Sequence, residues 1–578
     1  KTKLILMNNK KKFKLFLDIL GIKRVLTFIT FSLGNVILEL LSFSLFIPII
    51  IIFSKTDKLR DNEIYNFISN FINFSNNKEV LFFLMLCMVV IFAIKNIYIA
   101  ISFFIQTRIS SNIELEITTK VLKNYLFKDY EFHIENNSSK IVRDVISEAS
   151  MFCRSLLVAI INLFIEILVF IGIFFLIFFS EPQISILLTI YFSILGGSFY
   201  LMFKKKIKKI GEERQYNDKK RLQYLQQGIY GIKETLIYNL QTFIIQKFNI
   251  PNSIVIKNIY QNSLISQYPR LIFEFFAILA LLIVFILYNQ ENKDISETVF
   301  VIGLIAAASF RLFPGINKIL LSINQITYAS PSINIVFDIL KTSSNKALKQ
   351  AQSIDFKDKI ELKDINFKYK GSEKFVLDSI NLKINKGFHI GIIGVTGSGK
   401  TTLIDLLIGL LNPTSGSINV DGVDILNNKE SLRNIIGYVT QNPYILDDSI
   451  LNNIAIGQNQ KNINLNRVNS ILKKIELYEH VNKLKDGVHT SIGERGVKLS
   501  GGQIQRVAIA RAMYKEPKVL IFDEATSALD IQTEEEIVNQ INKLKREKTI
   551  ISISHKVKNL KYCDEIYKIE NGKLIQQN

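Results

Sequence analysis

The first 325 residues contain six long apolar stretches separated by polar or charged segments. They lie at about 25–53, 80–106, 155–180, 184–203, 271–288 and 298–325. Each is close to the 17–25 residues that an α-helix, rising about 1.5 Å per residue, needs to cross a hydrocarbon layer of roughly 30 Å. Buried helices of a soluble protein are the alternative, but six such stretches in one half of a chain favour a membrane. The pattern predicts a transmembrane domain of six helices over residues 1–340.

Polar segments of two kinds connect these stretches. In the long segments 107–150 and 204–270, apolar residues recur at helical spacing, which predicts helices that continue the spans out of the membrane and are joined by short turns. Within the outer connection, residues 61–74 show one apolar and one polar face. That pattern favours either a helix lying in the lipid interface or a connecting helix packed on its neighbours.

Charge predicts the orientation of the spans. Residues 1–24 and the two long polar segments hold 27 lysines and arginines, whereas the alternate loops hold five. Because cationic loops stay on the cytoplasmic side, both termini are expected in the cytoplasm and the protein in the cell inner (plasma) membrane. The net charge of +20 over 578 residues is then mostly a matter of topology, and no nucleic-acid partner is predicted.

The composition changes near residue 341. The polar segment 341–356 predicts a linker, and short β-type runs then alternate with helical ones: IELKDINF, HIGIIG, IIGYVT, KVLIFDE and TIISIS. This alternation predicts an α/β domain with a mostly parallel sheet over residues 357–578.

A glycine-rich motif follows the apolar run 389–393 and opens a helix predicted at 402–411. It fits G-x-x-x-x-G-K-[ST], whose glycines let backbone N–H groups turn toward phosphates at a helix N-terminus. Lys400 is expected to reach the β- and γ-phosphates, and Thr401 to bind Mg²⁺. The candidate nucleotide-binding residues here are Gly394, Thr396, Gly397, Ser398, Gly399, Lys400, Thr401 and Thr402. The fold class is therefore an α-helical six-span domain followed by an α/β P-loop domain.

Two further motifs carry chemistry. Val519–Glu524 is an apolar strand that ends in two acids, so Asp523 is expected to hold Mg²⁺ and Glu524 to polarise an attacking water. Leu499–Gln503 places a serine and two glycines at the start of a helix, which predicts a second anion-binding helix end. One nucleotide occupies both glycine-rich sites only if the chain folds them together or if two copies meet face to face.

These motifs resemble the ATP-binding cassette of ABC transporters, and the six spans resemble the membrane half of the exporter type. The motifs that match in order and spacing are Gly394–Thr401, Gln441, Leu499–Gln503, Val519–Glu524, Ser527–Asp530 and His555. Two residues depart mildly from the family pattern: Phe388 replaces a usual acid, and Ile504 stands where a polar residue is commoner. The resemblance implies a homodimer that uses ATP and Mg²⁺, an ATPase coupled to transport.

The resemblance also implies roles for individual residues. Glu524, His555 and Lys400 are the expected catalytic residues, and Thr401, Gln441 and Asp523 the expected magnesium ligands. Tyr369 is expected to stack on adenine and His555 to hold the γ-phosphate near Glu524. The residues expected to reach the partner subunit's nucleotide or to contact across the dimer are Ser500, Gly501, Gly502, Gln503 and Asp530.

Cations inside the spans point to the transported substrate. Lys95 and Arg311 are expected at similar depth, roughly 20 Å below the outer face, and Arg270 at the inner mouth of the fifth span. Charges in lipid are costly and usually face a cavity, so these three predict a site for an anionic group such as phosphate. Simple pairing with Glu39, Glu166 and Glu274 is the alternative.

Residues 266–274 and 307–320, together with the outer segment, resemble bacterial lipid-linked oligosaccharide flippases. That resemblance implies export of an anionic lipid-linked substrate, a polyprenyl-pyrophosphate-linked oligosaccharide used in glycosylation, from the inner to the outer leaflet. A multidrug or lipid exporter is one alternative, and a non-transporting ABC-type regulator is another.

Overall fold

The structure, a computed structural model, describes residues 18, 20–54, 77–290, 295–341, 354–525 and 531–577. The helix expected at 61–74, Asp530 and most of the expected linker lie outside the described residues. The chain divides into two compact units, and each is considered by itself. The first comprises Lys1–Lys128 and Glu135–Ser344, and the second comprises Asn345–Asn578 together with Asp129–Ile134.

The first unit is helical, and six of its helical segments are long and apolar enough to cross a membrane. These segments are Ile22–Ile52, Glu79–Leu126, Ser138–Phe179, Pro182–Tyr230, Gln241–Ile283 and Thr298–Tyr328, here called spans 1 to 6. Each overlaps most or all of one predicted apolar stretch, so the prediction of six spans is confirmed. The helices up to residue 341 are α1 Ile22–Ser44, α2 Phe46–Ser54, α3 Asn77–Leu126, α4 Tyr130–Glu135, α5 Ser138–Arg143, α6 Ala149–Phe152, α7 Val158–Ser180, α8 Pro182–Tyr230, α9 Ile232–Ile237, α10 Gln241–Gln290, α11 Ile295–Tyr328 and α12 Ser330–Lys341.

Three helices are much longer than a bilayer requires. Helices α3, α8 and α10 have 50, 49 and 50 residues, which corresponds to about 75 Å each. The apolar stretches at 184–203 and 271–288 are therefore parts of longer helices, as the helical spacing in the polar segments predicted. Span 3 differs because two π-helical turns, Asp144–Glu148 and Cys153–Leu157, interrupt it.

A buried polar cluster ties the helices of the first unit together near residue 144. Arg143 Nε donates to Asp144 Oδ1 at 3.0 Å, and the Tyr125 hydroxyl donates to Asp144 Oδ2 at 2.7 Å. Arg214 Nη2 donates to Glu148 Oε2 at 3.2 Å. Two arginines thus neutralise two carboxylates that are wholly buried, which avoids the penalty of an unpaired charge.

The second unit contains two sheets. A six-stranded sheet has the order β10-β9-β3-β8-β7-β6 and is parallel except for the β9–β10 pair, and an antiparallel sheet has the order β2-β1-β4-β5. The strands are β1 Lys359–Phe367, β2 Leu377–Asn385, β3 His389–Ile393, β4 Ser415–Val420, β5 Val423–Asp424, β6 Ile436–Val439, β7 Val519–Asp523, β8 Thr549–Ile553, β9 Glu565–Glu570 and β10 Lys573–Gln577. The mostly parallel sheet is confirmed, but the run IELKDINF belongs to the antiparallel sheet.

The helices of the second unit pack on these sheets. They are α13 Lys400–Leu407, α14 Lys429–Ile435, α15 Ile450–Ile454, α16 Leu465–Lys474, α17 Tyr478–Lys483, α18 Gly501–Tyr514 and α19 Ile531–Lys543. Helix α13 ends before the predicted residue 411 because Gly409 has a φ of +69°, which terminates the helix. Strand β8 pairs in parallel with both β3 and β7, so the chain leaves all three strands at the same edge of the sheet. All residues of these three strands are buried.

Candidate functional site

The glycine-rich loop between β3 and α13 wraps around the ammonium group of Lys400. Lys400 Nζ donates to the carbonyl oxygens of Gly394 at 2.9 Å and Val395 at 3.1 Å. Gly397 and Gly399 have φ values of +82° and +104°, which other residues rarely adopt. A side chain at Gly394 would place its Cβ 2.8 Å from the Ile569 carbonyl oxygen, so this position also requires glycine.

The loop has the chemistry of an anion site. Lys400 is 6% exposed, and burial lowers the pKa of its ammonium group, against the attraction of Glu524 and Asp523. The hydroxyl of Ser398 is buried and has no hydrogen-bond partner among the described residues. A buried cation beside an unsatisfied hydroxyl at a helix N-terminus suits the phosphates of a nucleotide.

Strand β7 delivers two carboxylates to the same edge of the sheet. Asp523 is 7% exposed and accepts a hydrogen bond from the Tyr438 hydroxyl at 3.0 Å; burial raises the pKa of its carboxyl group. Glu524 has a φ of +50°, and its backbone N–H donates to the carbonyl of Ile553, at the end of β8, at 3.1 Å. The strained backbone of Glu524 is thus held by the neighbouring strand.

The carboxylate of Glu524 is the point at which separate motifs meet. Gln441 Nε2 donates to Glu524 Oε2 at 2.9 Å, and His555 Nε2 lies 2.5 Å from Glu524 Oε1. Lys400 Nζ is 4.0 Å from the same Oε1 atom. Three residues that are far apart in sequence therefore surround the Glu524 carboxylate, which can accept a proton from a water beside the phosphate loop.

Other predicted residues lie around the loop. The Tyr369 hydroxyl is 3.1 Å from Thr402 Oγ1, and its ring packs edge-on against Phe367, with centroids 5.0 Å apart. Thr401 is exposed at the start of α13. Among the described residues, no group of three His, Cys, Asp or Glu side chains fits a metal.

Among the described residues, the side-chain hydrogen bonds of the second glycine-rich motif, Leu499–Gln503, are made within the motif and to His480 rather than to the loop between β3 and α13. Ser500 caps α18: its Oγ accepts from the backbone N–H of Gln503 at 3.3 Å, and Gln503 Oε1 accepts from the backbone N–H of Ser500 at 2.9 Å. Gln503 Nε2 also lies 3.4 Å from His480 Nδ1. The glycines Gly501 and Gly502 form the first turn of α18, with Gly501 exposed.

In the first unit, the structure brings together two of the three predicted cations. Lys95 Nζ is 3.5 Å from Glu39 Oε2, and Arg311 pairs with the other oxygen of Glu39. Arg311 Nη1 and Nη2 also donate to Glu166 Oε2 at 3.2 and 3.3 Å. Pairing of these cations with Glu39 and Glu166, the alternative raised by the sequence, is therefore present. Arg270 is exposed and joins no ion pair among the described residues.

Sequence reasoning missed Lys318, the third cation of this cluster. Lys318 Nζ donates to Glu166 Oε1 at 2.9 Å, so one carboxylate binds both Arg311 and Lys318. Arg311 and Lys318 are seven residues apart on α11, a spacing that puts them on one face of the helix. This spacing is the sequence signal that could have identified Lys318. A Cβ at Gly315 would lie 2.9 Å from Glu166 Oε2, so glycine leaves room for the pair.

An apolar cavity lies among spans 3, 4 and 6. It has a volume of about 330 Å³ and is formed by residues of α7, α8 and α11. The residues that line it include Phe170, Phe192, Gly196, Tyr200, Ile316 and Ile319. Phe170 is one helical turn from Glu166, and Ile319 is next to Lys318, so the cavity adjoins the charged cluster.

Comparison with known proteins places both units. Residues 28–308 match the family model described as ABC transporter transmembrane region, and residues 377–527 match the one described as ABC transporter, together about three quarters of the chain. An ATP-dependent lipid A-core flippase of Wigglesworthia glossinidia brevipalpis is 29% identical, over 82% of this chain and 81% of its own length. That of Pectobacterium atrosepticum is 27% identical over 87% and 86%.

Two further similarities concern other exporters. A putative multidrug export ATP-binding/permease protein of Bacillus subtilis is 25% identical over 81% of this chain and 80% of its own. A solved structure of a bacterial Atm1-family ABC exporter with ATP bound has a TM-score of 0.76 and 20% identity, over 94% of both chains. The latter similarity shows that the fold is that of an exporter.

Proposed function

We propose that this chain, which belongs to the ABC transporters and couples ATP hydrolysis to transport across a membrane, exports a lipid with an anionic headgroup. The observation that carries the substrate proposal is the charged cluster of spans 1, 2, 3 and 6. It sets three cations, Lys95, Arg311 and Lys318, against two carboxylates, Glu39 and Glu166. The cluster keeps one positive charge in excess, which favours an anion.

At the nucleotide site, Lys400 would exchange the carbonyls of its own loop for the β- and γ-phosphates, and the Ser398 hydroxyl would gain a partner. Thr401, Gln441 and Asp523 would hold Mg²⁺ with phosphate oxygens. The metal supplies positive charge that stabilises the transferred phosphoryl group. These assignments follow from the convergence of the residues at one edge of the sheet.

Hydrolysis requires a base and an orienting group. Glu524 is placed to take a proton from the attacking water, and its contact with Gln441 and His555 fixes the direction of its carboxylate. His555 would then hold the γ-phosphate from the other side. Tyr369, beside the loop, is left to stack on adenine.

The site is proposed to be complete only in a homodimer. Ser500, Gly501, Gly502 and Gln503 form an exposed helix N-terminus that makes no hydrogen bond to the phosphate loop among the described residues. A second copy would bring this helix end to the γ-phosphate, with Asp530 as a further contact between subunits. Both termini would then lie in the cytoplasm and the spans in the inner membrane, as the charge distribution predicts.

The substrate class follows from the chemistry of the first unit. A phosphate or pyrophosphate would compete with Glu166 for Arg311 and Lys318, which present several N–H donors together. The neighbouring apolar cavity of about 330 Å³ suits part of a hydrocarbon chain. An amphipathic lipid with an anionic headgroup satisfies both parts.

The finer assignment, a polyprenyl-pyrophosphate-linked oligosaccharide, rests on the resemblance of residues 266–274 and 307–320 alone. The relatives named above are instead lipid A-core flippases and a multidrug exporter. The test therefore includes a polyprenyl-pyrophosphate-linked sugar, lipid A-core and a hydrophobic drug.

The test is export by the full-length chain reconstituted in vesicles. Fluorescent polyprenyl-pyrophosphate sugar, lipid A-core and a neutral hydrophobic drug are supplied, and ATP-dependent movement to the opposite leaflet is measured. We expect movement of an anionic lipid, weakened by Arg311→Gln and Lys318→Gln, which remove positive charge from the cluster. Lys257→Ala, which removes an exposed charge outside the cluster, should leave the movement unaffected. Movement of the drug alone would identify a multidrug exporter, and ATP turnover without any movement would favour a regulator. Either result overturns the proposal.

A further inference from the structure

Glu534, in the first turn of α19, is a buried carboxylate outside the motifs described above. It is 1% exposed. Lys556 Nζ donates to its two oxygens at 2.9 and 3.1 Å, and Asn559 Nδ2 donates to Oε1 at 2.7 Å. Lys558 Nζ lies 3.8 Å away. The Glu534 carboxylate thus interacts with three side chains, those of Lys556, Lys558 and Asn559, in the segment that follows β8.

That segment contains His555, and its backbone is fixed on both sides of the histidine. Before it, the Ser554 backbone N–H donates to the Ile392 carbonyl at 3.2 Å. After it, the backbone N–H of Lys556 donates to Ser554 Oγ at 3.0 Å, while its side chain is held by Glu534. The imidazole is 38% exposed and lies against Glu524. Its position therefore depends on how its two neighbours are anchored.

We infer that Glu534 is a positioning residue for ATP hydrolysis, which acts by fixing Lys556 and thereby the direction in which His555 meets Glu524. Burial of a carboxylate is costly, and an apolar residue of similar size fills the same space without that cost. The charge is useful where it orders the donors around it. Outer partners that orient a metal-binding histidine are commonly worth about 10- to 100-fold in metal affinity or activity, and we expect an effect at the lower end of that range here.

The prediction is specific to the chemical step. Glu534→Gln keeps the volume but removes the negative charge and replaces one acceptor oxygen by an N–H₂ group, so Lys556 loses one of its two contacts and its ionic partner. His555 then loses its alignment, whereas the phosphate loop is untouched. We expect kcat for ATP hydrolysis to fall about ten-fold with KM for ATP unchanged.

The experiment measures steady-state ATP hydrolysis of the reconstituted full-length protein. Glu535→Gln is the matched control, since Glu535 is the adjacent residue of the same type and is exposed; it should behave as the wild type. Lys556→Met removes the other side of the contact from an exposed position and should reproduce the loss in kcat. The decisive measurement is Glu534→Gln in a His555→Ala background, where a residue acting through His555 has no further effect.

Several results would overturn the inference. A normal kcat in both Glu534→Gln and Lys556→Met would show that the contact has no role in catalysis. A full ten-fold loss on top of His555→Ala would show that Glu534 acts elsewhere. If Glu534→Gln does not fold, the kcat of Lys556→Met alone tests the inference. A raised KM for ATP without a lowered kcat, in either variant, would indicate a purely structural role and overturn the inference.

Discussion

Glu524→Gln is the sharpest test of the hydrolytic site. The change removes the carboxylate that is proposed to accept the proton of the attacking water, but it preserves the size of the side chain. General-base catalysis is commonly worth about 100- to 10,000-fold, or about 3 to 5 kcal/mol of the barrier. We therefore expect kcat to fall by that factor.

The same change should not weaken ATP binding. At 4.0 Å from Lys400 Nζ, the Glu524 carboxylate attracts the ammonium by about 4 kcal/mol at an effective dielectric constant of 20. Without it, Lys400 is freer to bind the phosphates, and one negative charge that repels them is gone. Affinity for ATP should be equal or higher.

Both quantities are measurable on the reconstituted protein. ATP hydrolysis gives kcat, and retention of labelled ATP after gel filtration reports binding. Glu430→Gln, at an exposed position of the same unit, is the control for the loss of a carboxylate. Hydrolysis by Glu524→Gln at the wild-type rate would remove Glu524 from the role of base, and loss of ATP binding would contradict the electrostatic argument.

Two further outcomes are expected. A mixed dimer of one Lys400→Ala chain and one Ser500→Ala chain should keep one intact site and hydrolyse ATP. A mixed dimer of one wild-type chain and one chain with both substitutions should have no intact site and no hydrolysis. If only the second dimer hydrolyses ATP, each site is completed by a single chain. Burial, aided by Lys545 and opposed by Asp564, lowers the pKa of His389 to about 4. As the pH falls below about 6.5, His389 therefore becomes protonated in the unfolded chain but stays neutral in the folded protein. Stability should therefore be about 2 kcal/mol lower at pH 5 than at pH 7.5 through this group, and His389→Gln should remove that part of the loss in thermal unfolding.

The order of elements could be predicted from the sequence because it depends on local patterns, and the same is true of the glycine-rich loop between β3 and α13. Span length follows from hydropathy, and the phosphate loop needs its glycines at fixed spacing. The meeting of Gln441, Glu524 and His555 was expected only from the family resemblance, since these residues come from different strands. Asp530 lies outside the described residues, so its expected role stays a prediction.

The partners of the intramembrane charges were not predictable in the same way. Hydropathy predicts how deep in the membrane Lys95 and Arg311 lie. It does not predict which residues they face, because that depends on the rotation of each helix about its axis. That rotation is set by packing among spans, and it brings Glu39 and Glu166 to Arg311. The run IELKDINF shows a similar limit, because alternation predicts a strand but not the sheet it joins.

The continuous length of α3, α8 and α10 has a mechanical consequence. A helix of about 75 Å that tilts by about 5° about one tip displaces its other tip by about 6.5 Å. That displacement exceeds the pitch of an α-helix, which is roughly 5.4 Å. A small tilt at one end of such a helix is therefore enough to shift the side chains at its other end by more than one helical turn.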